Sequence, residues 1–145
     1  MTKFKLGKIF LTVFAVIAVL GIVCMSVLGG LIIAKSGNEE LKNAIVKNVE
    51  IPEGTTEEVY VQAVGIVFIF AAVLYLIEAI LLIRAIKNPK KTMFLLVVAI
   101  LGVVGGVLTL ISSKMNASNI GQFVWDIIFL IGVLFVRSAY TDAKE

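Results

Sequence analysis

Four long apolar runs, parted by short polar segments, take up most of the chain: Ile9 to Ala34, Val59 to Ile86, Met93 to Ser112 and Gly121 to Tyr140. Each is close to the ~20 residues that a helix needs to cross a ~30 Å hydrocarbon core. Lipid offers no hydrogen-bond partner to the backbone, so a spanning segment of this kind must be helical. The polar remainder is too small for a soluble domain. The pattern therefore specifies an all-α polytopic membrane protein: a single four-helix transmembrane domain over 1–145, with spans at about 9–34, 59–86, 93–112 and 121–140 and a polar segment at 35–58.

Composition narrows the function classes. The chain is 60% hydrophobic and 16% charged, with a mean hydropathy of +1.07, outside ordinary globular usage. It has no histidine, so the commonest general base and the commonest metal ligand are both missing. The one cysteine, Cys24, lies mid-span and has no partner for an internal disulfide; it reads as a small buried apolar residue. No cofactor and no metal are expected.

The net charge of +3 marks topology rather than nucleic-acid binding, because the basic residues form no patch interleaved with aromatics. Lys3, Lys5 and Lys8 precede the first span, and Arg84, Lys87, Lys90 and Lys91 crowd the turn between spans two and three. Short basic segments stay on the cytoplasmic side, so both termini are expected there, with Arg137 and Lys144 beside the C-terminus. The segment between spans one and two carries Glu39, Glu40, Glu50, Glu53, Glu57 and Glu58 against Lys35, Lys42 and Lys47, and is expected outside. The first run is too long for the ~7 to 15 residue core of a signal peptide and ends in no A-x-A-like site, so it is read as an uncleaved span. A bulky valine before Cys24 argues against lipoprotein acylation.

Helix punctuation agrees with four spans. Thr55 with Glu58 reads as a capping box, Asn88-Pro89 as an N-cap followed by proline at the first helical position, and Asn119 with Gln122 as a second box-like cap. Between spans one and two, Leu41, Ala44, Ile45 and Val49 recur at helical spacing, which predicts a short amphipathic helix over Glu39 to Val49, closed by Pro52 and Gly54. An internal echo pairs Gly29-Gly30 with Gly105-Gly106, and Ile-Leu-Leu-Ile-Arg84 with Val-Leu-Phe-Val-Arg137. A duplicated hairpin would give a parallel repeat about the membrane normal; chance in low-complexity apolar sequence is the other reading.

Small residues matter because lipid gives helices no hydrophobic reason to associate, leaving close backbone packing as a main attraction. Gly102 and Gly106 form a GxxxG pattern, Ser26 and Gly30 repeat the spacing in span one, and Gly65, Ala72 and Ala79 form a seven-residue stripe down span two. These faces are expected to meet one another; the alternative is that one, foremost Gly102/Gly106, serves a dimer or another membrane protein.

Glu78 is the sharpest chemical feature, since a charge near a helix centre costs roughly 2.5 kcal/mol or more. It must face the bundle interior or water, stay neutral, or pair. Tyr75, one turn earlier, is placed to hydrogen-bond to it. Glu78 and Tyr75 are thus the candidate proton-coupling pair, with a neutral acid satisfied across a helix interface as the bland reading. In span four, Gln122, Asp126 and Arg137 share a face, with Asp126 and Arg137 roughly 16 Å apart along the axis. Lys114 is the nearer partner for Asp126, Trp125 fits an interfacial belt, and Arg84 and Arg137 are expected to snorkel toward headgroups. Asn116-Ala117-Ser118 matches the glycosylation pattern in a loop too short to carry it.

No GxxxxGK[ST], HExxH or GxSxG motif is present. In layout, in its glycine pairs and in its Lys-Asn-Pro-Lys-Lys turn the chain resembles small, uncharacterised four-span bacterial membrane proteins. That resemblance implies a cell-membrane location and no activity, and it assigns no functional residue. Small multidrug exporters share the size but carry their glutamate in the first span, which here has no acid. The expectation is a non-enzymatic structural or accessory protein of the membrane, in contact with lipid and with a second copy or another membrane protein. The alternative is a small oligomeric proton-coupled transporter or channel built on Glu78.

Overall fold

The computed structural model describes residues 2–112 and 115–141, with the side chain of Tyr140 left aside. The protein is all-α: α1 (Lys3–Ala34), α2 (Glu39–Val46), α3 (Glu57–Lys87), α4 (Met93–Ser112), entered through a 3-10 turn at Pro89–Thr92, and α5 (Ala117–Thr141). No strand occurs among the described residues. Four of the helices, α1, α3, α4 with its entry turn, and α5, are long and apolar enough to cross a membrane. The short α2 lies between the first two of these, as the sequence pattern predicts. With 32 and 31 residues, α1 and α3 extend about 48 and 46 Å at ~1.5 Å per residue. Both exceed a ~30 Å core, so they must tilt or project beyond it.

The helix starts are set by side-chain caps, which supply acceptors to the otherwise unpaired first N–H groups. Asn88 caps the entry turn as expected, accepting from the Lys90 N–H at 3.1 Å with proline next in the chain. The turn then kinks at Lys91, where φ is −90° and ψ is 18°, and Thr92 is buried while donating its hydroxyl to the Pro89 carbonyl at 2.8 Å. The other two caps differ from the sequence reading. Thr56, not Thr55, accepts from Val59 N–H at 3.3 Å before α3. Asn116, not Asn119, accepts from the Asn119 N–H at 2.8 Å before α5, so its amide is already engaged in the cap.

The chain divides into two compact units, both of which draw on α1 and α3. The first comprises residues 2–16 and 79–141 among those described. Its core gathers Leu11, Phe14 and Ala15 from α1, Leu82 and Ala85 from α3, Leu95 and Ala99 from α4, and Phe129, Val133 and Val136 from α5. In a lipid solvent this core is held by dispersion and close fit rather than by removal from water. The Phe14 ring lies 4.6 Å from Trp125 and 4.9 Å from Phe129 in tilted geometries, which suits the ring quadrupoles. At one edge α1 and α5 approach backbone to backbone: a Cβ at Gly7 would stand 2.8 Å from the Val136 nitrogen and 3.0 Å from the Gly132 carbonyl oxygen.

The second unit comprises residues 17–78. Here α1 and α3 touch at Gly29 and Gly65, where a Cβ on Gly29 would lie 2.8 Å from the Gly65 carbonyl oxygen. Toward the end of α1, Ser36 is buried and accepts from Gln62 Nε2 at 3.2 Å. The intervening α2 is capped by Asn38, which accepts from Leu41 N–H at 3.1 Å. It ends at Val46, three residues before the expected Val49, where the Lys47 N–H returns to the Asn43 carbonyl. None of its residues is buried, although Leu41, Ile45 and Val46 are half-buried on one side. Lys42 donates to Glu39 at 2.7 Å, and that hydrogen bond holds the ammonium pKa above its ordinary value.

Candidate functional site

The intramembrane acids are the chemical focus, and each sits in its own unit. Asp126, on α5, lies against the glycine face of α4. A Cβ on Gly102 would stand 3.6 Å from the Asp126 carboxyl carbon, and one on Gly106 would stand 3.6 Å from Asp126 Oδ2 and 2.9 Å from the Phe123 ring. The GxxxG pair and the acid are therefore one feature. Gly102 and Gly106 form a recess that admits the carboxylate and the phenyl ring, not a backbone of another helix. Asp126 Oδ1 accepts from Gln122 Nε2, one turn earlier, at 3.1 Å, which gives the acid a polar neighbour on its own helix. Lys114, the expected partner, lies outside the described residues. Arg137 is half-buried, and its Nη1 donates to Met93 Sδ at 3.1 Å. Arg84 is exposed. Trp125, expected as an interfacial residue, is exposed while its ring meets Phe14 in a tilted geometry.

Glu78 is half-buried on α3. Among the described residues it makes no hydrogen bond and no ion pair. Tyr75 is not its partner: the phenol ring lies flat over Gly21 of α1, so that a Cβ there would meet ring carbons at 3.1 Å. Packing of the aromatic face against a glycine fixes the ring direction, and with it the hydroxyl. No group of three His, Cys, Asp or Glu side chains converges anywhere among the described residues.

The small residues divide unevenly. Gly65, Ala72 and Ala79 are all buried, as a stripe facing other helices would be. In span one the face expected to pack is open: Ser26 and Gly30 are exposed, and a Cβ on Gly30 would meet nothing within 4 Å. Within residues 17–34 of α1 the packed glycines are instead Gly21 and Gly29. Their eight-residue separation is about 2.2 helical turns, an offset of about 80°, so spacing alone did not mark them as a shared face. In the echoed pair the roles are reversed, with Gly105 open and Gly106 packed. Gly7 and Gly132 also escaped the sequence reading, because neither has a small neighbour at four-residue spacing. Comparison with protein-family models, curated proteins and solved structures finds no match for this chain.

Proposed function

We propose that this protein is a non-enzymatic membrane accessory protein whose α1 docks a second transmembrane helix along Ser26 and Gly30. The observation that carries this reading is the open space at Gly30 beside a fully engaged Gly29. One face of α1 is occupied within the chain, while the next is lined with small residues and left uncovered, and small residues are what close helix approach in lipid requires. Ser26 adds a hydroxyl that makes no hydrogen bond among the described residues, whereas Thr109 and Ser112 return theirs to the carbonyls of Gly105 and Leu108. Such a hydroxyl can bond across a helix interface. On this reading both termini are cytoplasmic and α2 is external, which the positive-inside pattern supports.

The runner-up is a proton-coupled transporter, favoured by one observation: Glu78 is half-buried with no hydrogen-bond partner among the described residues. Against it, no second ionisable side chain within residues 17–78 is hydrogen-bonded or ion-paired to Glu78, as a relay would require. Purification in mild detergent with mass spectrometry of the retained molecules tests the proposal. A stoichiometric membrane partner, or a dimer lost on Gly30→Leu, supports it. A monomer that carries no protein and drives proton-dependent flux in vesicles contradicts it.

A further inference from the structure

At one end of the first unit, a cavity of about 490 Å³ opens between the start of α1 and the end of α5, lined by Thr2, Lys3, Phe4, Ser138 and Ala139. Its size falls within the range of small-ligand sites. Its lining is mixed in a particular way. Lys3 supplies an ammonium, and the Thr2 hydroxyl oxygen accepts from the Lys5 N–H at 3.4 Å, leaving its own proton to donate to a guest. Ser138 donates to the Phe135 carbonyl at 2.9 Å and keeps its oxygen as an acceptor for a second hydroxyl. Phe4 contributes an apolar wall and packs against the core, and the Lys8 ammonium stands 4.6 Å over its ring.

Among the described residues this unit is predominantly basic. Lys3, Lys5, Lys8, Arg84, Lys87 and Arg137 all belong to this unit, and its one acid among the described residues is Asp126, near the start of α5 and remote from α5's last turns in sequence. A cation and a hydroxyl donor in a recess, with an apolar wall beside them and Lys8 over that wall, match a phosphodiester that has both a polar headgroup and hydrocarbon. We infer that this cavity binds the headgroup of an anionic phospholipid in the leaflet on that side. Lys3 and Thr2 would take the phosphate, Ser138 a headgroup hydroxyl, and Phe4 the glycerol and upper acyl carbons. Basic pockets between membrane helices bind anionic headgroups by the same chemistry. The inference does not rest on the helix docking proposed for α1.

The test is a lipid titration of the full chain in mild detergent, read by native mass spectrometry, with phosphatidylglycerol, phosphatidylcholine and inorganic phosphate as probes. Phosphatidylglycerol should give a saturable adduct of one lipid per chain, and phosphatidylcholine should not. Lys3→Gln should weaken that adduct roughly fivefold, as loss of one interfacial cation implies, and Thr2→Val should weaken it in the same direction. Lys47→Gln, in the polar segment after α2, should leave it within twofold. Equal binding of the two lipids, or equal loss in Lys3→Gln and Lys47→Gln, would overturn the site. Inorganic phosphate that binds alone and displaces the lipid at millimolar concentration would also overturn it, since the guest would then be the free anion.

Discussion

Gly29 and Gly65 meet backbone to backbone across α1 and α3: a Cβ on Gly29 would stand 2.8 Å from the Gly65 carbonyl oxygen, and one on Gly65 would stand 3.0 Å from that of Gly29. Because the obstructing atoms are backbone, neither helix can yield without shifting as a body. Gly29→Ala is therefore expected to destabilise the protein by about 1 to 3 kcal/mol, the usual range for overpacking. Gly30→Ala, one residue on, should be neutral or stabilising by about 0.5 to 1 kcal/mol, since alanine is the better helix former. Thermal unfolding in detergent of the two single variants checks the contrast.

The second glycine pair makes a parallel test. Gly106 lies under the Phe123 ring and Asp126, while Gly105 has open space. Gly106→Leu should lower the melting temperature, whereas Gly105→Leu should leave it near the parent value. Asp126→Asn should be tolerated because it preserves an acceptor for Gln122. Asp126→Leu, which leaves the Gln122 amide without that partner, should be worse than Asp126→Asn.

Much of the fold was legible because the solvent writes it. Lipid-length apolar runs leave helices as the available conformation for this chain, and Asn88-Pro89 announced the start of α4's entry turn in advance. The caps at Thr56 and Asn116 were missed by one and three residues because the neighbouring Thr55 and Asn119 satisfy the same pattern, and backbone direction decides between them. Similarly, Gly29 and Gly30 differ by about 100° around the helix, and only the path of α3 determines which is covered. The spacing of Tyr75 and Glu78 allowed a bond, but a glycine at Gly21 offered the ring a flat seat that the sequence order did not reveal.

Orientation is best read by cysteine accessibility in a Cys24→Ala background. Glu53 and Lys87 are exposed. A cysteine replacing Glu53 should react with an impermeant reagent in intact cells, and one replacing Lys87 only after permeabilisation. The reverse pattern would invert the topology.

Glu78→Gln keeps size and hydrogen-bonding ability but cannot release a proton. The accessory reading expects this variant to be as stable as the parent and to retain the same bound protein. Proton-gradient-driven flux in proteoliposomes that is present in the parent and missing in Glu78→Gln would instead support a transporter.

The central claim is that α1 meets another helix at Ser26 and Gly30, and cross-linking in native membranes addresses it most directly. In the Cys24→Ala background, a cysteine replacing Ser26 or Gly30 should form a defined adduct, to a second copy or to one other protein, under mild oxidation or with a short bifunctional reagent. A cysteine replacing Leu101, exposed on α4, should form none. Equal, diffuse reactivity at all three positions, or no adduct at Ser26 and Gly30, would contradict the account.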